Sequence, residues 1–133
     1  MNNLTIIGNI GKDPELAFSA SGKAVCKMTV ATKNRNDKNA EEATIWHDVV
    51  AFGELAENTV ASVQKGDRVI VIGRLEKRAY EKRDGGKGLS VELIANEIGV
   101  NLRFCQTEIS RQGGTSKNVT KPVAYDTSPE EPF

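Results

Sequence analysis

Thr44-Ile-Trp-His-Asp-Val-Val-Ala-Phe-Gly53 is the stretch that decides the fold. Read as a strand, whose side chains alternate from face to face, it sends Trp46, Asp48, Val50 and Phe52 one way. Ile45, His47, Val49 and Ala51 go the other. The small aliphatics suit a core. The opposite face carries two large rings and resembles a platform for flat ligands. The chain holds one Trp, two Tyr and four Phe in 133 residues, so two aromatics on one face of one short strand are a concentration that calls for a reason.

Working outward, four more strands and one helix emerge. Leu4 to Ile10 reads as a first strand, ended by a turn at Gly11-Lys-Asp-Pro14. Ala24 to Thr32 alternates Ala24, Cys26, Met28 and Val30 against Val25, Lys27, Thr29 and Ala31, which makes a second strand. Residues 34–42 hold five charged side chains and three Asn and read as a mobile polar loop. After the aromatic strand, Leu55, Ala56, Val60 and Val63 share one side of a helix from Glu54 to Gln64, stopped by Gly66. At three turns it needs tertiary support. Arg68 to Leu75 is a fourth strand and is apolar on both faces at Val69-Ile-Val-Ile72. A charged extension and a turn at Asp84-Gly-Gly-Lys-Gly88 lead into a fifth strand from Leu89 past Ile98. From Gln106 the periodicity stops and Ser, Thr, Gly, Asn and Pro take over, which predicts a disordered tail over 106–133 behind a single domain over 1–105. Five strands with one helix between the third and fourth is the layout of an all-β OB-fold barrel, although spacing alone also fits other small barrels.

Bulk charge points to no partner: 18 Lys and Arg balance 18 Asp and Glu. Any electrostatic footprint must therefore be local. Residues 74–87 supply one, with six basic and three acidic groups around Tyr80. Tyr80 follows the alternation of Arg74, Glu76 and Arg78, on a ribbon that also offers Lys77, Lys82 and Arg83. Rings interleaved with cations are what unpaired nucleic acid requires: bases stack on aromatics while Lys and Arg neutralise phosphates. Each feature also has a plainer reading, as a half-buried Trp, a hairpin cap or a solvated edge that deters strand pairing. Together, on one predicted fold with a face free, they favour the binding site.

Catalysis finds little support. One His and two distant Cys cannot supply a structural zinc site. Neither Gly85-Gly-Lys-Gly88 nor Gly113-Gly-Thr-Ser-Lys117 has phosphate-loop spacing. The expectation is a binder without cofactor. Cys26 and Cys105 read as reduced thiols, and with no apolar run of about 18 residues and no secretion-signal pattern at the N-terminus, a cytoplasmic protein is expected. His47, opposite Trp46, reads as a packing or interface residue.

These segments resemble bacterial single-stranded DNA-binding protein. Leu4-Thr-Ile-Ile-Gly-Asn-Ile-Gly-Lys-Asp-Pro-Glu15 is similar to the family's opening strand and its Gly-Asn-Leu…Asp-Pro-Glu signature. Trp46-His-Asp-Val-Val-Ala-Phe-Gly53 resembles its Trp-His…Val…Phe-Gly strand, and Lys65-Gly66 before Val69-Ile-Val-Ile-Gly-Arg-Leu75 follows its fourth strand. The likeness covers residues 1–105 and returns at the last few. It implies an OB-fold subunit of a homotetramer that binds single-stranded DNA in replication, recombination and repair, associated with the nucleoid. It also implies base-stacking roles for Trp46, Phe52 and Tyr80 and an interface role for His47. The family often has a further Trp in the loop after the second strand. Here Lys33-Asn-Arg-Asn36 has none, which shifts weight to Lys33 and Arg35. The tip Glu130-Glu-Pro-Phe133 resembles the family's acidic Pro-Phe terminus, which recruits partner proteins, with fewer acids. The short linker also fits a specialised paralogue. Two rivals use the same chain differently: an OB-fold scaffold of a replication-restart or DNA-uptake complex with DNA binding secondary, and an RNA-binding module, since rings do not distinguish sugars.

Overall fold

A computed structural model describes residues 1–33 and 43–111. The elements run β1 (Leu4–Phe18), β2 (Ala24–Lys33), β3 (Thr44–Phe52), α1 (Glu54–Ser62), β4 (Arg68–Glu81) and β5 (Lys87–Val100). The strands close into a barrel in the order β1-β2-β3-β5-β4. All pairings are antiparallel except β3 with β5, which is parallel. The expected five-stranded OB-type layout, with a helix between β3 and β4, is what the chain adopts. The loop expected over 34–42, with Arg35, and the tail tip Glu130, Glu131, Pro132 and Phe133 lie outside the described residues.

The first strand departs from expectation. The turn at Gly11–Pro14 is instead a bulged stretch inside β1, with register shifts between Ile10 and Lys12 and between Lys12 and Glu15. The cause is topological. β1 pairs with β4 over Leu4 to Asn9 and with β2 over Asn9 to Phe18, so it must bend sharply midway. Bulges add local twist and bend the strand, and Pro14, with no N–H to donate, fits where the ladder is interrupted. The Asp13 carboxylate holds the bend by accepting from the Lys65 N–H at 2.7 Å. The Gly66 N–H donates to the Ile10 carbonyl at 2.8 Å, from a left-handed backbone (φ 94°) that suits glycine.

The inward-facing residues make the core: Ile10, Cys26, Val30, Val49, Val69, Val71 and Leu93 are essentially inaccessible. The helix packs on this core through Ala56, Val60 and Leu55, and Val63 beyond its end is buried. It stops at Ser62 because Val63 is already extended. Thr59, buried in the helix, satisfies its hydroxyl on the Leu55 carbonyl at 2.6 Å. Burial pushes the Cys26 thiol pKa up, which keeps it protonated; Cys105 is exposed, and neither forms a disulfide.

β4 and β5 outgrow the barrel. Their pairing continues from Leu75–Leu93 out to Glu81–Lys87, and β4 is exposed over that whole stretch. The extension starts at a bulge between Ile72 and Gly73. There a Cβ on Gly73 would collide with the Ile94 carbonyl, and one on Gly8 would collide with the Ala31 carbonyl. Backbone cannot retreat as a side chain can. Gly73→Ala should therefore cost about 3 kcal/mol, in the range of overpacking changes, read as a lower urea midpoint. Gly99→Ala, where a Cβ meets nothing within 4 Å, should stay within about 0.5 kcal/mol as the control.

Candidate nucleic-acid interface

Register decides which side chains meet on the outer wall. β2 and β3 pair Val25 with Phe52, Lys27 with Val50, Thr29 with Asp48 and Ala31 with Trp46. Across the parallel seam Asp48 pairs with Glu92 and Val50 with Ile94. β5 and β4 then pair Glu92 with Glu76, Ile94 with Arg74, Ser90 with Arg78 and Gly88 with Tyr80. Paired residues share a face, so one continuous outer surface carries Trp46, Phe52, Tyr80, Arg74 and Arg78. The alternation read from the sequence is thus carried across the seam by the fold.

The three rings are open to solvent: Trp46 is 60% exposed, Phe52 41% and Tyr80 47%. Each has a defined neighbour. Trp46 lies against Gly11 of β1, and Tyr80 against Gly88 of β5. The Lys23 ammonium stands 5.4 Å from the centre of the Phe52 ring, within cation–π range. Beside Asp48 and Val50 a shallow cavity of about 190 Å³ is lined by Lys12, Glu15, Lys27, Thr29 and Glu92 among others, with the Lys12 ammonium 3.9 Å from the Glu15 carboxylate.

The electrostatics are mixed. Arg74 Nε is 2.6 Å from Glu76 Oε2, and Arg78 is 3.7 Å from the less exposed Glu92 carboxylate. Lys33, paired with Thr44, continues this face at the end of β2. Lys77 pairs with Val91 and stands on the other side of the ribbon. Lys82 and Arg83 belong to the hairpin tip, which is closed by the Lys82 N–H donating to the Gly86 carbonyl at 2.7 Å. The sequence reading missed Lys12, Lys23 and Lys27. Lys27 was visible in the alternation of its strand, but only the register with Val50 places it beside the aromatic strand. Lys12 was hidden by the supposed turn.

His47 lies on the opposite face, half-buried, with Nε2 3.0 Å from the Thr32 hydroxyl. The alternation of the parallel pair puts Ile45, Leu89 and Val91 on that side. All three are more than half exposed, so Ile45 is not the core residue its alternation predicted. A larger cavity of about 510 Å³, lined by Asp13, Val63, Gln64 and Asp67 among others, sits at the end of α1, away from the rings, and its acids suit no polyanion. No cluster of three or more His, Cys, Asp or Glu that could hold a metal ion occurs among the described residues, and no described helix is long and apolar enough to cross a membrane.

The chain is similar to known proteins. The chain is 41% identical over 113 residues to the single-stranded DNA-binding protein of Paenarthrobacter aurescens, covering 81% of this chain and 66% of that protein. Against the single-stranded DNA-binding protein of Mycobacterium leprae it is 42% identical over 122 residues, covering 84% and 71%. Against that of Mycobacterium tuberculosis it is 39% identical over 136 aligned positions, covering 94% and 80%. The chain thus spans just under two thirds of the first of these relatives. The pattern of the single-strand binding protein family matches residues 1–101, the whole barrel, and the chain belongs to that family.

Proposed function

We propose that this chain binds single-stranded DNA with little sequence preference and shields it during replication, recombination and repair. One observation carries the reading. Three open rings, Trp46, Phe52 and Tyr80, share a continuous outer face with Lys12, Lys27, Lys33, Arg74 and Arg78, and Lys23 stands over Phe52. Bases stack on the rings, and the cations follow the phosphates. Duplex DNA hides its base faces, so the rings select unpaired strands. Lys82 and Arg83 extend the path along the hairpin, and Arg35, two residues after Lys33 in the sequence, adds charge. The names of the relatives, all single-stranded DNA-binding proteins, support the same ligand.

The working unit is a homotetramer. Two separate aliphatic surfaces support this. One is the ledge of Ile45, Leu89 and Val91 beside His47, and the other is the pair Ile7 and Ile72 on the β1–β4 wall. A tetramer with dihedral symmetry needs two different self-complementary contacts. The tip Glu130-Glu-Pro-Phe133 recruits replication and repair proteins, because a terminal carboxylate beside an apolar ring fits a small pocket edged by Arg or Lys. The protein acts without a cofactor and without catalysis, in the cytoplasm at the nucleoid.

Trp46 is the sole Trp, so its fluorescence reports one position per subunit. Titration with dT oligonucleotide should quench it strongly, less so as salt rises, while duplex of equal length should not. A folded Trp46→Ala variant should lose about 1–3 kcal/mol of binding; unchanged affinity would remove the ring from the site. Val91→Glu or His47→Ala should lower the oligomer mass in sedimentation, whereas an unchanged tetramer would place the contact elsewhere. Deleting Glu130 to Phe133 should leave dT affinity within about twofold and abolish capture of replication and repair proteins. A large loss of DNA affinity instead would contradict the role of the tip.

A further inference from the structure

Four strand glycines leave no room for a Cβ, and they fall into two kinds. Gly8 and Gly73 face carbonyl oxygens of neighbouring strands, so they serve the barrel. Gly11 and Gly88 face aromatic rings. A Cβ on Gly11 would fall against Cζ3 of Trp46, with Cη2 at 3.1 Å and Cε3 at 3.3 Å. On Gly88 it would lie 2.5 Å from Cζ of Tyr80, 2.7 Å from Oη and 2.9 Å from Cε1. In both cases the three nearest atoms all belong to the ring's side chain, and in both the ring is about half exposed. Neither glycine has a positive φ, so backbone conformation does not demand it.

We infer that Gly11 and Gly88 are positioning residues of the nucleic-acid face, each a seat on which one stacking ring lies. The inference rests on the single-stranded DNA reading above. Trp46 pairs with Ala31, and Ala31 lies beside β1, so the indole crosses β2 over a small side chain and comes to rest on Gly11. Tyr80 lies over its own cross-strand partner, Gly88. Tyr80 lies face-on over Gly88, while Trp46 meets Gly11 by its Cζ3 edge, and a ring so seated on bare backbone has few other orientations open to it. It is held near its stacking orientation before DNA arrives, so less rotamer freedom is lost on binding. Each seated ring then takes one base, from the solvent side. The seats also explain how two large apolar side chains stay ordered on an exposed face. Each loses part of its water-exposed area to a glycine that no other residue type could replace at that distance.

Substitution separates the seat from the fold, because the atoms that must move are the far ends of side chains. Gly11→Ala in the full chain should keep the urea midpoint and oligomer mass of the parent, while the Kd for dT oligonucleotide rises about three- to tenfold, a fraction of a full stacking contact. Acrylamide should quench Trp46 more efficiently as the ring lifts off the sheet. In a Trp46→Ala background, Gly11→Ala should change Kd by less than about twofold, since no ring remains to displace. Gly88→Ala should behave the same way against Tyr80→Ala. That pair lies on the hairpin beyond the barrel core, so it carries the test if Gly11→Ala fails to fold. Parental affinity in Gly11→Ala and Gly88→Ala, with Trp46→Ala weakened, would overturn the seats and leave the stacking site standing. An equal loss with and without the ring would also overturn them. Parental affinity in Trp46→Ala itself would instead remove the single-stranded DNA site.

Discussion

β1 is hydrogen-bonded along both edges, to β4 over its first half and to β2 over its second, and the rest of the domain depends on that double duty. A strand can serve two neighbours at different angles only if it bends, and the bulges on either side of Lys12 supply the bend. Closure then fixes an inside and an outside for every other strand. Val30, Val49, Val69 and Leu93 are committed inward, and their sequence neighbours must line the outer wall. The same bulged segment carries Gly11, the surface on which Trp46 rests. One short stretch therefore closes the barrel and furnishes part of the face. For that reason a change there need not be read as purely structural.

Charge on this face does not follow the simple expectation for a polyanion site. Glu76, Glu92 and Asp48 form a row across β4, β5 and β3, and two of the arginines pair with carboxylates of that row. These pairs are mostly solvent-exposed and contribute little stability. Their physical consequence is directional. In the proposed binding mode the row repels phosphates and leaves them to Lys12, Lys23, Lys27 and Lys33 at its margins, so that the bases meet the rings. With bulk charge at zero, the proposed mode leans more on stacking than a strongly basic protein would.

Much of this was legible in the sequence, for physical reasons that mark the boundary. Period-two alternation put Trp46 with Phe52 and Tyr80 with Arg74 and Arg78, because pleating depends only on local geometry. What alternation cannot carry is register. Joining the Trp46 strand to the Tyr80 strand needed the pairing of Asp48 with Glu92 and of Glu92 with Glu76. Lys27 and Lys12 came to the face the same way. Gly11-Lys-Asp-Pro14 has turn chemistry, and tertiary closure overrode it into a bulge. Ile45 alternates like a core residue, but it sits where the barrel has ended, and no local pattern marks where a barrel stops.

The β4–β5 ribbon presents two faces beyond the barrel, and their chemistry divides the work. One side has Tyr80 on Gly88 among Arg74, Glu76 and Arg78, a flat ring amid charges that stay hydrated. The other has Leu89 and Val91, branched aliphatics that continue the core's own inward face into solvent beside Ile45 and His47. A planar base gains from a planar partner and tolerates nearby water. A protein surface gains from interdigitated aliphatics that exclude it. Alternation along two strands thus gives the same fourteen-residue elements one side of ring and charges and one side of aliphatics. If another copy of the chain covers the aliphatic side, as proposed, the ring side stays open and the ribbon that carries Tyr80 is stiffened. In the proposed tetramer, self-association and strand binding would then support each other through one hairpin.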